Sequence, residues 1–139
     1  MPPQRPRRPV VLIVDDAAEI RFVLKRALER HCEVLAAEDV GGALALARKH
    51  RPRLILLDVV LPDGSGVDAV AALKDLDPTV AIVMLTGAND LGFARQALEN
   101  GARAYMTKPF DITPLVEEVR RHLGLEPPPA DAPPWRVAA

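Results

Sequence analysis

Three short apolar runs in this chain do not alternate with polar residues: "VVLIV" (10–14), "RLILL" (53–57, after its leading arginine) and "AIVML" (81–85). A strand with one wet face alternates. A run of Val, Ile and Leu without alternation needs cover on two faces, the condition found inside a parallel sheet. Helical spacing fills the gaps. Ile20, Leu24, Ala27 and Leu28 share one face after "DDAAE", and Leu44 and Ala47 do so after Asp39. Val67, Val70, Ala71 and Leu73 follow "DGSG"; Ala94, Ala97 and Leu98 follow Asn89; Leu115, Val116 and Val119 follow Pro114. Weaker strands fit "EVLAA" (33–37) and "RAYMT" (103–107). Strand and helix thus alternate five times, and right-handed crossovers predict one parallel sheet with helices on its two faces.

The punctuation agrees. Asp39, Asn89 and either Asp111 or Thr113 suit helix starts, Pro114 fits a first turn, and Gly101 after "LEN" suits a left-handed helix stop. The pair Gly41-Gly42 weakens the start of the second helix. Of 14 prolines, four lie in residues 1–9 and five after residue 126. This predicts a flexible segment at 1–8, a folded domain at 9–123 and a Pro-rich, disordered tail at 124–139. A chain of 139 residues with 49% hydrophobic and 27% charged residues is ordinary for one soluble domain. The net charge of -1 gives no reason to expect nucleic acid or an anionic membrane as partner. No apolar run is long enough to span a bilayer, and Asp15 and Asp16 interrupt any signal-type segment, so the expected location is cytoplasmic. The single cysteine, Cys32, excludes an intrachain disulfide and reads as a small buried residue.

In parallel sheets, sites form beyond the carboxyl ends of the strands. The first strand here ends at Asp15-Asp16, the third at Asp58, the fourth at Thr86 and the fifth at Lys108-Pro109. Each residue alone has an ordinary explanation as a helix cap, a turn residue or a surface group. Together they place three carboxylates, one hydroxyl and one ammonium on one rim. Packed carboxylates repel unless a proton or a cation intervenes. With oxygen ligands and no His or Cys nearby, the cation indicated is Mg²⁺. A lysine suits a phosphoryl oxygen, and a carboxylate can act as a nucleophile to form an aspartyl phosphate. The set reads as a phosphoryl-transfer site.

On "LIVDD", "LILLDVVLPDGSG", "VMLTG" and "AYMTKPF", in that order, the chain resembles the response-regulator receiver domains (CheY-like) of bacterial two-component signalling. The resemblance covers roughly residues 9–123. It implies a flavodoxin-like three-layer α/β sandwich, (βα)5, whose five-stranded parallel sheet has the order 2-1-3-4-5. It further implies that Asp58 accepts a phosphoryl group from a phosphohistidine, that Asp16 binds Mg²⁺ directly, and that Asp15 holds a metal-bound water. The backbone carbonyl of Val60 would be a further metal ligand beside Asp58. Lys108 would pair with Asp58 or its phosphoryl oxygens, aimed by a cis bond to Pro109. Thr86 would swing onto the phosphoryl group, Gly87 would leave the donor histidine room, and Tyr105 would occupy the rotating aromatic position. The switched face would comprise the fourth helix, fifth strand and fifth helix. The implied protein is a signalling switch and not an enzyme in the ordinary sense. It would assist its own phosphorylation and be dephosphorylated slowly, because Val60 and Ala88, each two residues past a key residue, cannot orient a water. The implied partners are a histidine kinase or a histidine phosphotransfer protein, and a downstream protein. "GARAYM" lacks the acidic pair of one DNA-binding branch, which leaves a monomer or another phosphorylation-dependent dimer.

With only residues 124–139 beyond the domain, the expectation is a stand-alone regulator, with a phosphorelay intermediate or a fragment of a longer regulator as alternatives. An aspartyl-phosphate hydrolase of the haloacid dehalogenase type would want Asp-x-Asp, whereas Val59-Val60 follow Asp58. A flavodoxin-like cofactor binder would want a phosphate-cradling loop where this chain has two acids. His31, His50 and His122 read as solvated, as do Arg120 and Arg121. Trp135 reads as a loosely held tail residue, with partner docking as the alternative.

Overall fold

The computed structural model describes residues 8–125. In chain order the elements are β1 (Val10–Val14), α1 (Ala18–Leu28), β2 (Glu33–Ala37), α2 (Val40–His50) and β3 (Leu54–Asp58). Then come the two-residue strands β4 (Val60–Leu61) and β5 (Gly64–Ser65), α3 (Gly66–Leu76) and β6 (Ala81–Thr86). A 3-10 turn at Ala88–Asp90, α4 (Leu91–Glu99), β7 (Ala104–Thr107) and α5 (Ile112–His122) complete the fold. The sheet is parallel throughout, in the order β2-β1-β3-β6-β7. That is the expected 2-1-3-4-5 order once the small antiparallel β4-β5 hairpin is set aside.

The unbroken apolar runs are explained by the layers. Leu12 and Val14, Ile55 and Leu57, Ile82 and Met84 point to one face, where Ala43 and Ala47 of α2, Val70 and Leu73 of α3 and Ala97 of α4 meet them. Val11 and Ile13, Leu54 and Leu56, Val83 and Leu85 point to the other, under Leu24 and Leu28 of α1 and Leu115 and Val119 of α5. Successive strand side chains leave on opposite faces, so each run supplies two cores at once. Fully burying one such side chain stabilises the fold by about 1.5–3 kcal/mol.

Local chemistry settles the helix ends. Asp39 caps α2, its Oδ1 accepting from the Gly42 amide at 2.7 Å. A Cβ on Gly42 would stand 2.9 Å from that same oxygen, which is why glycine is tolerated there despite its low helix propensity. Gly101 takes the left-handed conformation (φ 115°) just past α4. Other expectations need correction. Asn89 does not cap α4, because the 3-10 turn consumes residues 88–90 and Asp90 takes the N-cap position without a side-chain bond. Asp111 stands at the N-cap of α5, also without one. On α3 it is Ala69, not Ala71, that turns inward. The expected segment at 1–8, apart from Arg8, and the tail from Glu126 onward, including Trp135, lie outside the described residues.

The last turn of α5 differs from the expectation of a solvated end. Glu118 is buried, and its carboxylate receives Arg121 and, at 2.9 Å, Nε2 of His122, whose side chain is 1% exposed. Burial alone would push the Glu118 carboxyl up, but the bonds from His122 and Arg121 outweigh it and hold the group down at about 2. A carboxyl depressed on folding from 4.5 contributes stability that is complete above the unfolded value and is lost as pH falls towards about 2. In denaturation curves measured from pH 6 to pH 2, Glu118→Gln is expected to be less stable at pH 6, by on the order of 2 kcal/mol. Its deficit against wild type should shrink as the pH falls below 4.5.

Candidate functional site

The strand register places the reactive residues side by side. β1, β3 and β6 are adjacent, so Asp15, Asp58 and Thr86 end neighbouring strands, and Lys108 follows β7 at the same edge. The Lys108 amide donates to the Thr86 carbonyl at 2.7 Å, which fixes where the lysine leaves the sheet. The Lys108-Pro109 bond is cis, as expected. Lys108 Nζ lies 2.7 Å from Asp15 Oδ2 and 3.1 Å from Asp58 Oδ2. Asp16 completes the group: one carboxylate oxygen from each of Asp15, Asp16 and Asp58 lies within 4.8 Å of the others.

The three acids have different environments. Asp15 is fully buried and both its oxygens are engaged, Oδ2 by Lys108 and Oδ1 by the Ala17 amide at 2.9 Å. Its backbone carbonyl accepts from Arg21 of α1 at 2.7 Å. Asp16 is exposed and makes no hydrogen bond or ion pair among the described residues. Asp58 is nearly buried; its Oδ1 accepts from the Val60 amide at 3.2 Å. Burial pushes the Asp58 carboxyl up and neighbouring Asp15 adds to this; the Val60 amide and Lys108 oppose without cancelling the rise. Burial would lower the Lys108 ammonium, but Asp15 and Asp58 together raise it, so the cation is secured. Three carboxylates against one ammonium leave negative charge in a confined space, the condition under which hard oxygen-seeking cations bind.

Thr86 is fully buried, and its hydroxyl donates to the Gly87 carbonyl at 3.2 Å rather than reaching Asp58. Tyr105 on β7 is half-buried against the core beneath α2, α3 and α4. Gly87 has an ordinary extended backbone, and a Cβ there would approach Asp90 Oδ2 at 3.1 Å. The Ala88 side chain lies outside the described residues. Val60 is 56% exposed and, with Val59, Gly64, Ser65 and Phe93, lines an apolar cleft of about 270 Å³ next to Asp58.

Two positioning residues escaped the sequence reading. Gly66 donates its amide to the Val59 carbonyl at 2.8 Å, and a Cβ on it would lie 2.1 Å from the Asp58 carbonyl oxygen. Only glycine lets the start of α3 close against the strand end that carries Asp58. Asp63 accepts from the amides of Val40 and Gly41 at 2.7 and 3.0 Å, bonds that hold its carboxyl below the usual range and tie the β4-β5 turn to the start of α2. The signal was present in "LPDGSG", part of the third-strand motif, in which neither Asp63 nor Gly66 was assigned a role.

The fold and site together are a parallel sheet in flavodoxin-like order with an acidic cluster and a lysine at its carboxyl edge. Comparison with known proteins makes the assignment: residues 11–120 match the family model "Response regulator receiver domain", and the chain belongs to that family. It is a receiver domain of two-component response regulators. It is 33% identical over 116 residues to protein CcdB of Bacillus subtilis, covering 82% of this chain and 97% of that one. It is 30% identical to sporulation initiation phosphotransferase F of the same organism, covering 84% of this chain and 94% of that one. With the DNA-binding transcriptional regulator NtrC of Azospirillum brasilense it shares 37% identity over 88% of its own length, but spans only 26% of that protein. Among solved structures, a CheY-like receiver domain protein from Methanospirillum hungatei JF-1 superposes with a TM-score of 0.80 at 32% identity, covering 85% and 95% of the two chains. Among the described residues no helix is long and apolar enough to cross a membrane.

Two substitutions test this geometry. A carboxyl raised on folding destabilises the fold when ionised, so Asp58→Asn is expected to raise the melting temperature at pH 7 without divalent cations. The rise should be a few degrees at most and should be absent at a pH low enough to protonate the wild-type carboxyl. Gly66→Ala should cost more than about 2 kcal/mol in urea denaturation, because a backbone oxygen cannot move out of the way of the new methyl group.

Proposed function

We propose that Asp58 is the phosphoacceptor, taking a phosphoryl group from a phosphohistidine of a histidine kinase or a histidine phosphotransfer protein. The observation that carries this reading is Lys108 Nζ held within 3.1 Å of Asp58 and 2.7 Å of Asp15, with Asp16 alongside. A carboxylate oxygen of Asp58 attacks phosphorus, the P–N bond to the donor imidazole breaks, and the electron pair leaves with the histidine. The Val60 amide orients the Asp58 carboxylate, and Lys108 neutralises charge on a phosphoryl oxygen.

The donor set fits Mg²⁺. Asp16, exposed and unengaged, suits direct ligation alongside Asp58 and the Val60 carbonyl, whereas Asp15, with its two oxygens taken, suits contact through a water. When bound, the ion supplies charge neutralisation between Asp58 and the incoming phosphoryl group. The Thr86 hydroxyl leaves Gly87 for the phosphoryl group, which draws Tyr105 inward and changes the face of α4, β7 and α5. Leu91 of α4 is exposed, available to a downstream protein. The exposed aliphatic Val60 can neither donate a proton to a water nor accept one from it, and the reading includes slow self-dephosphorylation. A second reading, a phosphorelay intermediate, is favoured by one observation: the similarity to a sporulation phosphotransferase extends over 94% of that protein.

Incubation with acetyl phosphate and Mg²⁺ is expected to label the wild type and not Asp58→Asn, with Lys108→Ala labelled but its Tyr105 environment unchanged by NMR. Equal labelling of wild type and Asp58→Asn would sink the assignment. The purified phosphoprotein should decay over minutes to hours; a half-life of seconds would contradict the role given to Val60 and Ala88. Back-transfer of label to a histidine phosphotransfer protein would select the relay.

A further inference from the structure

The sheet edge opposite Asp58 carries a second polar pocket. The starts of β3, β6 and β7 there meet the ends of α2, α3 and α5 around a cavity of about 290 Å³. Arg53 immediately precedes β3, its amide donating to Val10 and its carbonyl accepting from Ala81 at 3.1 Å. Arg103 immediately precedes β7, its amide donating to Ile82 at 2.7 Å. Arg51, the left-handed end of α2 (φ 49°), donates from Nη1 to the Leu76 carbonyl at 3.1 Å. Arg51, Arg53 and Arg103, all exposed, line the pocket from backbone positions held by the sheet and a helix terminus.

Only one acid lines it. Asp77 is held below the usual carboxylate range first by the Thr79 hydroxyl and amide, then by the nearby charges of Arg51 and Lys74. His122, the other titratable group in the lining, is engaged by Glu118. Arg53 and Arg103 form no ion pair or side-chain hydrogen bond among the described residues, so the lining carries more positive than negative charge. These arginines flank β6 on either side. Their strands are separated by two inter-strand spacings, about 10 Å, a span over which two planar forks can reach a group wider than a single phosphate. The cavity of about 290 Å³ and the chain's net charge of -1 argue against an extended nucleic-acid or membrane surface.

We propose that this pocket binds a diphosphate group, free or as part of a nucleotide, independently of the phosphoacceptor site. Arg53 and Arg103 clamp the two phosphates and Arg51 closes the third side. The test is calorimetric titration of the full chain with pyrophosphate, ADP and inorganic phosphate, in EDTA so that the Asp58 edge holds no divalent cation. Pyrophosphate and ADP are expected to bind, with inorganic phosphate at least tenfold weaker. Arg53→Gln/Arg103→Gln should weaken pyrophosphate at least tenfold with an unchanged circular dichroism spectrum. Asp58→Asn and Arg48→Gln/Lys49→Gln, the latter on exposed cations outside the pocket, should bind as wild type does. ADP binding tighter than pyrophosphate assigns a nucleotide; equal binding assigns the bare diphosphate. No pyrophosphate binding, equal binding by the Arg53/Arg103 variant, equal loss in the Arg48/Lys49 variant, or loss in Asp58→Asn would each overturn the proposal.

Discussion

One ammonium group holds the carboxyl edge of this protein together. Lys108 bridges two carboxylates that lie 93 and 50 residues away in sequence, and neither acid is well solvated. Taking Asp15 out of water would be costly without that partner, and taking Lys108 partly out of water would be costly without Asp15 and Asp58. The sheet order makes the bridge possible. β1 sits beside β3, β3 beside β6 and β6 beside β7, so the ends of strands distant in sequence become neighbours. The backbone bond from Lys108 to Thr86 then sets the height at which the ammonium emerges.

That arrangement divides labour among acids that look alike in the sequence. Asp15 is committed to structure, with each oxygen occupied. Asp16, next to it, points to solvent and is uncommitted. Asp58 lies between, its Oδ1 on the Val60 amide and its Oδ2 on Lys108, with its pKa raised by burial. The loop beyond Asp58 is held by Gly66, which closes against the Asp58 carbonyl, and by Asp63, bound to the start of α2. The Thr86 hydroxyl rests on the Gly87 carbonyl and not on Asp58.

The two ends of the sheet are opposites in charge. Carboxylates gather at the carboxyl edge, and arginines gather where β3, β6 and β7 begin. The near-zero net charge of the chain conceals this polarity, because the sum over a sequence carries no information about which strand ends share an edge.

Much was legible in the sequence. Non-alternating apolar runs demanded strands covered on two faces, and five strand–helix alternations demanded a parallel sheet. The residues ending those strands then had to converge on one rim, because parallel strands place all their carboxyl ends together. The sequence motifs carried Asp15, Asp16, Asp58, Thr86 and Lys108 to that rim with no coordinates at all. Tertiary structure alone decided what depends on close approach and burial. It showed that Asp15 rather than Asp16 takes the lysine, and that Gly66 is a contact and not merely a turn. It replaced the expected Asn89 cap with a 3-10 turn, and made His122 the buried partner of Glu118 instead of a solvated helix end. The reason is physical. Periodicity reports which face of an element is apolar, a property of neighbours along the chain. The partner of a charged atom is set by which distant segments meet within 3 Å, and no local pattern records that distance.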